Sequence, residues 1–247
     1  GIRERHIAGP GETNLTMSVA AARQALDVAD LTPKDLGLII VATSSPDHFL
    51  PSVASEVQYH LGAECPAFTL TAGCTGFVYA LATAHQFIAA GAYDRILVIG
   101  SEVISISVNW EDRDTCVLFG DGAGAVVLEA SSQPGGVQSF VLGSDGSGAG
   151  YLIVRGGGCA YPISHEMIED KAMYIEMNGR EVFKFATRVM EEATLQAIDR
   201  AGLTLNDIDL LIPHQANLRI IELAARHLDL PMDKIFVNLD RYGNTSA

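Results

Sequence analysis

The sequence is poor in basic residues. Its 16 lysines and arginines are outnumbered by 30 aspartates and glutamates, which gives a formal net charge of −14. A nucleic-acid partner needs a basic surface that contacts phosphates, so this composition disfavours one. Long apolar runs are also absent, because stretches such as "LGLIIVAT" (36–43) are far shorter than the roughly 20 residues that cross a bilayer. We therefore expect neither a nucleic-acid partner nor a membrane-spanning segment.

Cysteine is scarce as well. The four cysteines form no CxxC pair and show no metal-ligand spacing, and no positively charged leader precedes the first predicted element. This pattern predicts a cytoplasmic protein with reduced thiols and no disulfide framework. The four positions are Cys65, Cys74, Cys116 and Cys159.

Two motifs that would indicate a cofactor or a metal are incomplete. "GDGAGA" (120–125) imitates a dinucleotide fingerprint but runs into the strand-like "AVVLEA", so no helix N-terminus follows it to hold a pyrophosphate. We expect its glycines to serve close packing. "HEMIE" (165–169) has Glu169 where a zinc protease needs its second histidine. The sequence therefore predicts no metal and no cofactor.

Hydrophobic periodicity predicts an α/β fold in a globular chain whose residues are 48% hydrophobic and 19% charged. Strands are expected near 37–43, 66–72, 94–100, 123–130 and 137–143, alternating with helices near 16–29, 52–62 and 75–91. Farther along, a helix near 178–202 precedes a strand at 208–212, a helix at 217–229 and a strand at 235–239. The glycine-rich stretch 144–178 is expected to form connecting loops.

The chain contains an internal repeat. Residues 24–41 ("QALDVADLTPKDLGLIIV") match residues 196–213 ("QAIDRAGLTLNDIDLLIP") at nine of eighteen positions, with a constant offset of 172. One repeat of this length is too few for a solenoid and favours two related α/β halves about a pseudo-twofold axis. We therefore divide the chain into an N-terminal half (1–143), connecting loops (144–177) and a C-terminal half (178–247).

Cys74 has unusual neighbours. In "TLTAGCTGFVYALATAHQFIAAG" (69–91) it lies between a predicted strand and a predicted, mostly buried helix, with Gly73 and Gly76 beside it. A helix N-terminus at this position favours a thiolate, and its free N–H groups can hold the oxyanion of a bound acyl group. Taken alone, the stretch fits a nucleophile or a small structural thiol at a tight turn.

Two stretches near the end of the chain could supply partners for a nucleophile. His214, in "LLIPHQANLRII", follows a predicted strand and stands where the first copy of the repeat has Ala42. In "LDRYGNTSA", Gly243 permits a sharp turn and Asn244 can present an amide N–H to a developing negative charge. Each has an ordinary alternative, as a hydrogen-bonding loop histidine or as a turn asparagine.

Six stretches together resemble the β-ketoacyl-[acyl-carrier-protein] synthase III family of the thiolase superfamily, whose members start fatty-acid chains. In chain order they are "GIRERHIA", "AGCTGFVYAL", "FGDGAGAVVL", "NGREVFKFA", "LIPHQANLRII" and "LDRYGNTSA". The resemblance implies an acyltransferase with Cys74, His214 and Asn244 as its catalytic set. Cys74 would take the acyl group of acyl-CoA, acetyl by default, and malonyl-acyl-carrier-protein would then lose CO₂ and condense with it. Acyl-CoA is a substrate in this reaction, and no cofactor is implied.

The resemblance also implies residues that bind the substrates. Arg113 would contact the CoA nucleotide, with an ion pair to Asp112 or Asp114 as its ordinary alternative. Leu50 would reach the acyl pocket of the other subunit and leaves the length of the starter chain open. The implied channel residues are Gly179, Phe183, Ala216 and Asn217.

Basic residues implied to receive the acidic carrier protein are Lys184, Arg219 and Arg226. Each could otherwise be an ordinary solvated charge. His227 stands where the family often has a further lysine, which predicts weaker or pH-sensitive docking.

The resemblance implies a duplicated, layered α-β-α-β-α thiolase fold and a homodimer, with a strand near 66–72 or 94–100 as the candidate contact. The family chain is longer at both ends, so this sequence is expected to lack terminal strands. A specialised acyltransferase or secondary-metabolite ketosynthase with the same Cys–His–Asn set stays open as an alternative. A non-catalytic scaffold is disfavoured because all three residues are present.

Overall fold

The computed structural model describes residues 1–247, in which helices and strands alternate along much of the chain. The α-helices are α1 (Asn14–Ala29), α2 (Val53–Leu61), α3 (Gly76–Ala89), α4 (His165–Glu169), α5 (Gly179–Arg200), α6 (Leu218–His227) and α7 (Leu239–Tyr242). The strands are β1 (Leu38–Ala42), β2 (Ala67–Leu70), β3 (Arg95–Glu102), β4 (Gly122–Glu129), β5 (Leu152–Val154) and β6 (Ile175–Met177). No helix combines the length and the apolar character that crossing a membrane requires.

The chain divides into two compact units, which are described separately. We call the first the sheet unit; it comprises His6–Ile104, Asp121–Gln138 and Thr245–Ala247. We call the second the helical unit; it comprises Gly1–Arg5, Ser105–Gly120 and Ser139–Asn244. The division of the sequence into an N-terminal half (1–143), connecting loops (144–177) and a C-terminal half (178–247) stays a prediction.

A four-stranded sheet with the order β2-β1-β3-β4 organises the sheet unit. β1 runs parallel to β2 and to β3, whereas β4 is antiparallel to β3. β1 ("LIIVA") is buried at every position because helices cover both faces of the sheet, which is why its sequence is uniformly apolar. β2 lies at one edge, whereas β3 has a neighbour on each side.

The two faces of this sheet carry different helices. α1 and α2 cover one face, where Leu26 and Val57 pack with Ile39. α3 covers the other face, where Ala80 and Ala84 pack against Ile40. Ala80 and Ala84 are one helical turn apart and fully buried, so small side chains let α3 lie close to the sheet.

The core of the helical unit is centred on α6. Ile221, Ala225 and Leu228, spaced three or four residues apart, form one apolar stripe that packs with Leu230 and Ile235. α5 contacts α6. A separate antiparallel pair joins β5 to β6.

The repeat is visible in the local structure of both copies. Thr32 N–H donates to Asp35 Oδ2 (2.8 Å), and Thr204 N–H donates to Asp207 Oδ2 (2.8 Å), each closing a 3-10 turn after a long helix. The first copy then continues into β1. The second copy continues into a single bridge, Leu211 with Ile235.

Most predicted elements are confirmed, since α1, α2, α3, α5, α6 and β1 to β4 begin and end within two residues of their expected bounds. The predicted strands at 208–212 and 235–239 are wrong, because the two segments meet only at the Leu211–Ile235 bridge and build no ladder. The predicted strand at 137–143 is also wrong. Hydrogen bonds link this segment to α5 instead, from Ser139 Oγ to the Ala197 carbonyl (2.5 Å) and from Arg200 to the Phe140 carbonyl (3.0 Å).

Two smaller expectations need correction. The stretch 144–178 is not only loops, because it contains β5, α4 and β6. "GDGAGA" does run into a strand, as predicted, and β4 begins at Gly122. Close packing does not explain Gly124, however, because a Cβ built there would meet nothing within 4 Å.

Candidate active site

Cys74 lies on the turn between β2 and α3, as the sequence predicts. β2 ends at Leu70, one 3-10 turn spans Gly73–Thr75, and α3 begins at Gly76. Gly73 has φ 54°, a backbone conformation that glycine adopts at no steric cost. The turn places the partly buried thiol at the N-terminal end of α3, where the first N–H groups have no acceptor within the helix.

Two glycines make room for Ala247 beside this turn. A Cβ built on Gly76 would lie 3.2 Å from Ala247 Cβ, and a Cβ on Gly100 would lie 3.2 Å from the Ala247 carbonyl oxygen. Gly76 comes two residues after Cys74, and Gly100 comes two residues before Glu102. Within the sheet unit, residues 245–247 are therefore held against both the start of α3 and β3.

Ser246 is the side chain that contacts the Cys74 thiol, with its Oγ donating to Sγ over 3.8 Å. Burial raises the pKa of the Cys74 thiol, the hydrogen bond from Ser246 lowers it, and the charge of Glu102 raises it further. Burial thus opposes the thiolate that the helix N-terminus favours. The thiol is therefore protonated at neutral pH before substrate arrives.

Glu102 is a fully buried acid that sequence reasoning missed. It ends β3, and its carboxylate accepts hydrogen bonds from Ser45 Oγ (2.5 Å), Thr43 Oγ1 (3.3 Å) and Ser44 N–H (3.1 Å). Burial raises the pKa of this carboxyl, while these hydrogen bonds and one from Ser246 lower it. The available signal was an acidic residue closing the apolar run "ILVIGSE".

His214 belongs to the helical unit, in the loop that follows the bridge residue Leu211. The side chain is partly buried, and burial lowers the pKa of His214 to about 4. At neutral pH the ring is therefore uncharged, with one N–H donor and one acceptor nitrogen. It can donate a hydrogen bond without bringing a positive charge into the site.

Asn244 is buried and its backbone is fixed on both sides. Its N–H donates to the Leu118 carbonyl (2.9 Å), and its carbonyl accepts from Gly120 N–H (3.0 Å). Gly243 before it has φ 69°, and a Cβ there would lie 2.8 Å from the Leu118 carbonyl oxygen. Only glycine fits at 243, so the turn that presents Asn244 depends on it.

The predicted catalytic residues fall in different units. The sheet unit contains Cys74 together with Ser246 and Glu102, whereas His214 and Asn244 belong to the helical unit. The contacts given above for each of these residues are contacts within its own unit.

A cavity of about 440 Å³ in the helical unit has Ala216 and Asn217 in its wall, together with Arg219. Asn217 also begins α6, because its Oδ1 accepts from Arg219 N–H (2.9 Å) and caps the helix. The cap uses only the amide oxygen. Two of the predicted channel residues thus line the same cavity.

Other predicted substrate-binding residues lie apart from this cavity's wall. Gly179 is the first residue of α5, and Phe183, one turn later, is partly buried. Leu50 is exposed over 87% of its surface. Arg113 is exposed and forms no ion pair with Asp112, whose carboxylate instead accepts from Thr115 Oγ1 (2.6 Å) and Asp114 N–H (3.0 Å).

The three predicted docking residues are all exposed. Lys184 on α5 pairs with Glu181, with 2.7 Å between Nζ and Oε1. Arg219 and Arg226 are seven residues apart and so share one face of α6. His227 contacts Glu191 on α5, with 2.8 Å between Nδ1 and Oε2.

Comparisons with known proteins agree on one family. The family model described as 3-oxoacyl-[acyl-carrier-protein (ACP)] synthase III matches residues 68–146, and the model of its C-terminal part matches residues 198–247. A β-ketoacyl-[acyl-carrier-protein] synthase III from Caldanaerobacter subterraneus subsp. tengcongensis is 51% identical, over 100% of this chain and 75% of the relative. The synthase of the same name from Symbiobacterium thermophilum is 52% identical with the same coverage. The crystal structure of 3-oxoacyl-[acyl-carrier-protein] synthase III from Aquifex aeolicus VF5 is similar with a TM-score of 0.92 and 44% identity, over 100% of this chain and 75% of that one.

Proposed function

The chain belongs to the 3-oxoacyl-[acyl-carrier-protein] synthase III family, and on that premise we propose that it condenses an acyl-CoA with malonyl-acyl-carrier-protein. It is an acyltransferase with the thiolase fold, and its reaction begins type II fatty-acid biosynthesis. One observation carries the assignment of the nucleophile. Cys74 lies at the start of α3, on a glycine-flanked turn, in a chain 51% identical to a synthase of this name.

Acyl transfer to Cys74 is the first step of the proposed reaction. The sulfur attacks the acyl carbonyl carbon, the bond from that carbon to the CoA sulfur breaks, and the thiol proton ends on free CoA. Because burial raises the pKa of the Cys74 thiol, the proton must leave as the new bond forms. Backbone N–H groups at the start of α3 would stabilise the oxyanion formed on the acyl group.

Condensation is the second step. The bond between the malonyl carboxylate and the adjacent carbon breaks, CO₂ leaves, and the electron pair forms an enolate that attacks the acyl carbonyl carbon. The bond to the Cys74 sulfur then breaks, which releases 3-ketoacyl-acyl-carrier-protein and leaves a thiolate that takes up a proton from solvent to restore the thiol. We assign His214 and Asn244 as hydrogen-bond donors to the malonyl thioester oxygen as negative charge builds there. A neutral His214, with its pKa lowered to about 4, suits this role.

The cavity beside α6 supports a channel for the pantetheine arm. Ala216 and Asn217 line it. Gly179 and Phe183 on α5 lie outside its wall, and we assign them to the channel on the family resemblance alone. The exposed guanidinium of Arg113 suits the phosphates of the CoA nucleotide. Acyl-CoA enters as a substrate, and the reaction needs no separate cofactor.

Carrier-protein docking would use the basic residues of α5 and α6. Lys184, Arg219 and Arg226 are exposed on a chain whose formal net charge is −14, so local positive charge is needed to attract an acidic carrier protein. His227 is engaged with Glu191, which supports weaker docking at that position.

We also propose a homodimer in the cytoplasm. β2 (67–70) lies at the edge of its sheet and could pair with a second copy, whereas β3 is flanked by β1 and β4 and could not. Leu50, which is 87% exposed, would then reach the acyl pocket of the partner subunit.

Intact mass spectrometry tests the proposed first step. The chain is mixed with acetyl-CoA and with longer acyl-CoAs, beside the Cys74→Ser variant and a Cys159→Ser control, since Cys159 is exposed. We expect one acyl adduct that persists in the control and disappears in Cys74→Ser. An adduct that survives Cys74→Ser, or no adduct with any acyl-CoA, would contradict the proposal. The acyl-CoA that adds fastest identifies the starter.

A further inference from the structure

One hydroxyl stands between two titratable groups in the sheet unit. Ser246 Oγ donates to Cys74 Sγ over 3.8 Å, and the same side chain lowers the pKa of the Glu102 carboxyl through hydrogen bonding. A serine hydroxyl has one proton to donate but two lone pairs to accept with. Ser246 can therefore donate to the sulfur or to the carboxylate, but not to both at once.

The other two hydroxyls on Glu102 have no such freedom. Thr43 Oγ1 accepts from Asn14 Nδ2 (2.8 Å) and from Ser45 N–H (3.1 Å), which fills its lone pairs and directs its proton to Glu102. Ser45 Oγ accepts from Val103 N–H (2.8 Å) and donates to Glu102 (2.5 Å). Ser246 is thus the hydroxyl of this cluster that can change direction.

The backbone holds Ser246 in position for this contact. It has φ 61°, a left-handed conformation that is uncommon for a residue with a Cβ and that tends to occur at functional sites. Ala247, the next residue, is in close contact with Gly76 and Gly100. Ser246 also stands 172 residues after Cys74, the same offset that relates the two copies of the repeat.

We propose that Glu102 is a positioning residue for the Cys74 thiol and acts through the Ser246 hydroxyl. When Glu102 is ionised, its carboxylate accepts the hydrogen bond from the Ser246 hydroxyl, and its charge opposes a second negative charge on the sulfur. When Glu102 is protonated, its O–H donates a hydrogen bond to Ser246 Oγ, and the Ser246 hydroxyl is free to donate its hydrogen bond to a Cys74 thiolate. The two groups therefore titrate as a coupled pair in which a negative charge on one makes a negative charge on the other less favourable.

The surroundings of Glu102 leave Cys74 as its titrating partner. The loop after β1 supplies the Thr43 and Ser45 hydroxyls and Ser44 N–H, which donate hydrogen bonds to the Glu102 carboxylate. The turn before α3 supplies Cys74, and residues 245–247 supply Ser246. Asp47, on the same loop, is turned toward α1, where its carboxylate accepts from the N–H groups of Asn14 and Leu15. Burial raises the pKa of both Glu102 and Cys74, and the charge of Glu102 raises the pKa of Cys74 further.

The inference rests on the proposed function only in naming Cys74 as the nucleophile, so its test measures thiol reactivity without any substrate. The rate of Cys74 alkylation by iodoacetamide is followed from about pH 6 to about pH 10, quantified on the peptide that contains Cys74. Wild type is compared with Glu102→Gln, Ser246→Ala and the double variant. Asp121→Asn is the matched control, because Asp121 is also a buried acid of the sheet unit and is bonded to Ala8 N–H.

We expect Glu102→Gln, which keeps the shape but removes the charge, to move the alkylation profile to lower pH and to raise the rate at pH 7 by roughly threefold to tenfold. Ser246→Ala should move the profile to higher pH. In the double variant the effect of Glu102→Gln should shrink, because the hydroxyl that carries part of it is gone. Asp121→Asn should leave the profile unchanged.

Two results would overturn the proposal. One is a Glu102→Gln profile that coincides with wild type, and the other is a Ser246→Ala profile that is unchanged or moves to lower pH. If Glu102→Gln fails to fold, Ser246→Ala decides alone, because Ser246 is only partly buried. A shifted alkylation profile without any acyl adduct from acyl-CoA would separate this inference from the proposed function.

Discussion

At the scale of single residues, burial reinforces the uncharged forms of two groups in the candidate site. His214 and Cys74 have ordinary pKa values of 6.5 and 9.0, which already favour a neutral ring and a protonated thiol at pH 7. Burial lowers the first pKa and raises the second, so the uncharged forms persist over a wider range of pH. In the proposed reaction these states make His214 an uncharged hydrogen-bond donor and require the Cys74 thiol to lose its proton as the acyl group is transferred.

Protonation of His214 should make stability depend on pH. Its pKa is about 4 in the folded state, against an ordinary value of 6.5. Between these two values the unfolded chain binds a proton at His214 and the folded chain does not. The free energy of unfolding should therefore fall between pH 6.5 and about 4, with a loss of about 2 kcal/mol at pH 5 from this group. His214→Gln should lose less stability than wild type over that window.

Urea unfolding at about pH 7.5 and about pH 5 measures this difference. The control is His165→Gln, at an exposed position on α4, which should follow the wild-type pH dependence. Equal losses in wild type and His214→Gln would mean that burial of His214 does not govern its protonation.

At the scale of elements, helix ends place the functional side chains. Cys74 lies where a 3-10 turn becomes α3, and Asn217 caps the first turn of α6. Both positions follow from local sequence signals, a glycine pair in one case and an N-cap asparagine in the other. Such local signals help to explain why α1, α2, α3, α5 and α6 were predicted to within two residues, whereas the strands predicted at 137–143, 208–212 and 235–239 do not form.

Asn217 caps α6 and is proposed to bind the substrate, and variants can separate the cap from the proposed binding role. Asn217→Ala removes the cap oxygen and should cost about 1 kcal/mol of stability, whereas Asn217→Ser retains a cap oxygen and should cost much less. Both variants lose the amide nitrogen, so both should raise KM for acyl-CoA if that group binds the substrate. Thermal unfolding and steady-state kinetics on the two variants measure these effects. A normal KM in Asn217→Ser would leave Asn217 as a helix cap alone.

At the scale of the whole molecule, the exposed arginines of α6 are opposite in sign to the net charge. The formal net charge is −14, yet α6 carries Arg219 and Arg226 on one exposed face, with a single acidic residue, Glu222, between them. An acidic partner would be repelled by most of the surface and attracted at this helix. Local charge, more than net charge, therefore determines where a carrier protein could bind.

Charge reversal at Arg226 should test this distribution. Arg226→Glu should lower kcat/KM for malonyl-acyl-carrier-protein by roughly threefold to tenfold, with a much smaller change in the acylation of Cys74 by acetyl-CoA. Raising the salt concentration should reduce the difference between variant and wild type, because exposed charges are screened. The matched control is Arg23→Glu, an exposed arginine of the sheet unit, and an equal loss there would point to net charge alone.

The amino-acid sequence by itself determined five helices (α1, α2, α3, α5 and α6), the four strands of the main sheet, the turn that carries Cys74 and the internal repeat. These features depend on periodicity, glycine placement and side chains close along the chain. Only the tertiary structure decided that residues 137–143 bond to α5 without forming a strand, and that the second copy of the repeat reaches a single bridge. It alone brought Glu102 and Ser246 to Cys74, because their contact joins parts of the chain up to 172 residues apart, and local patterns do not encode such contacts.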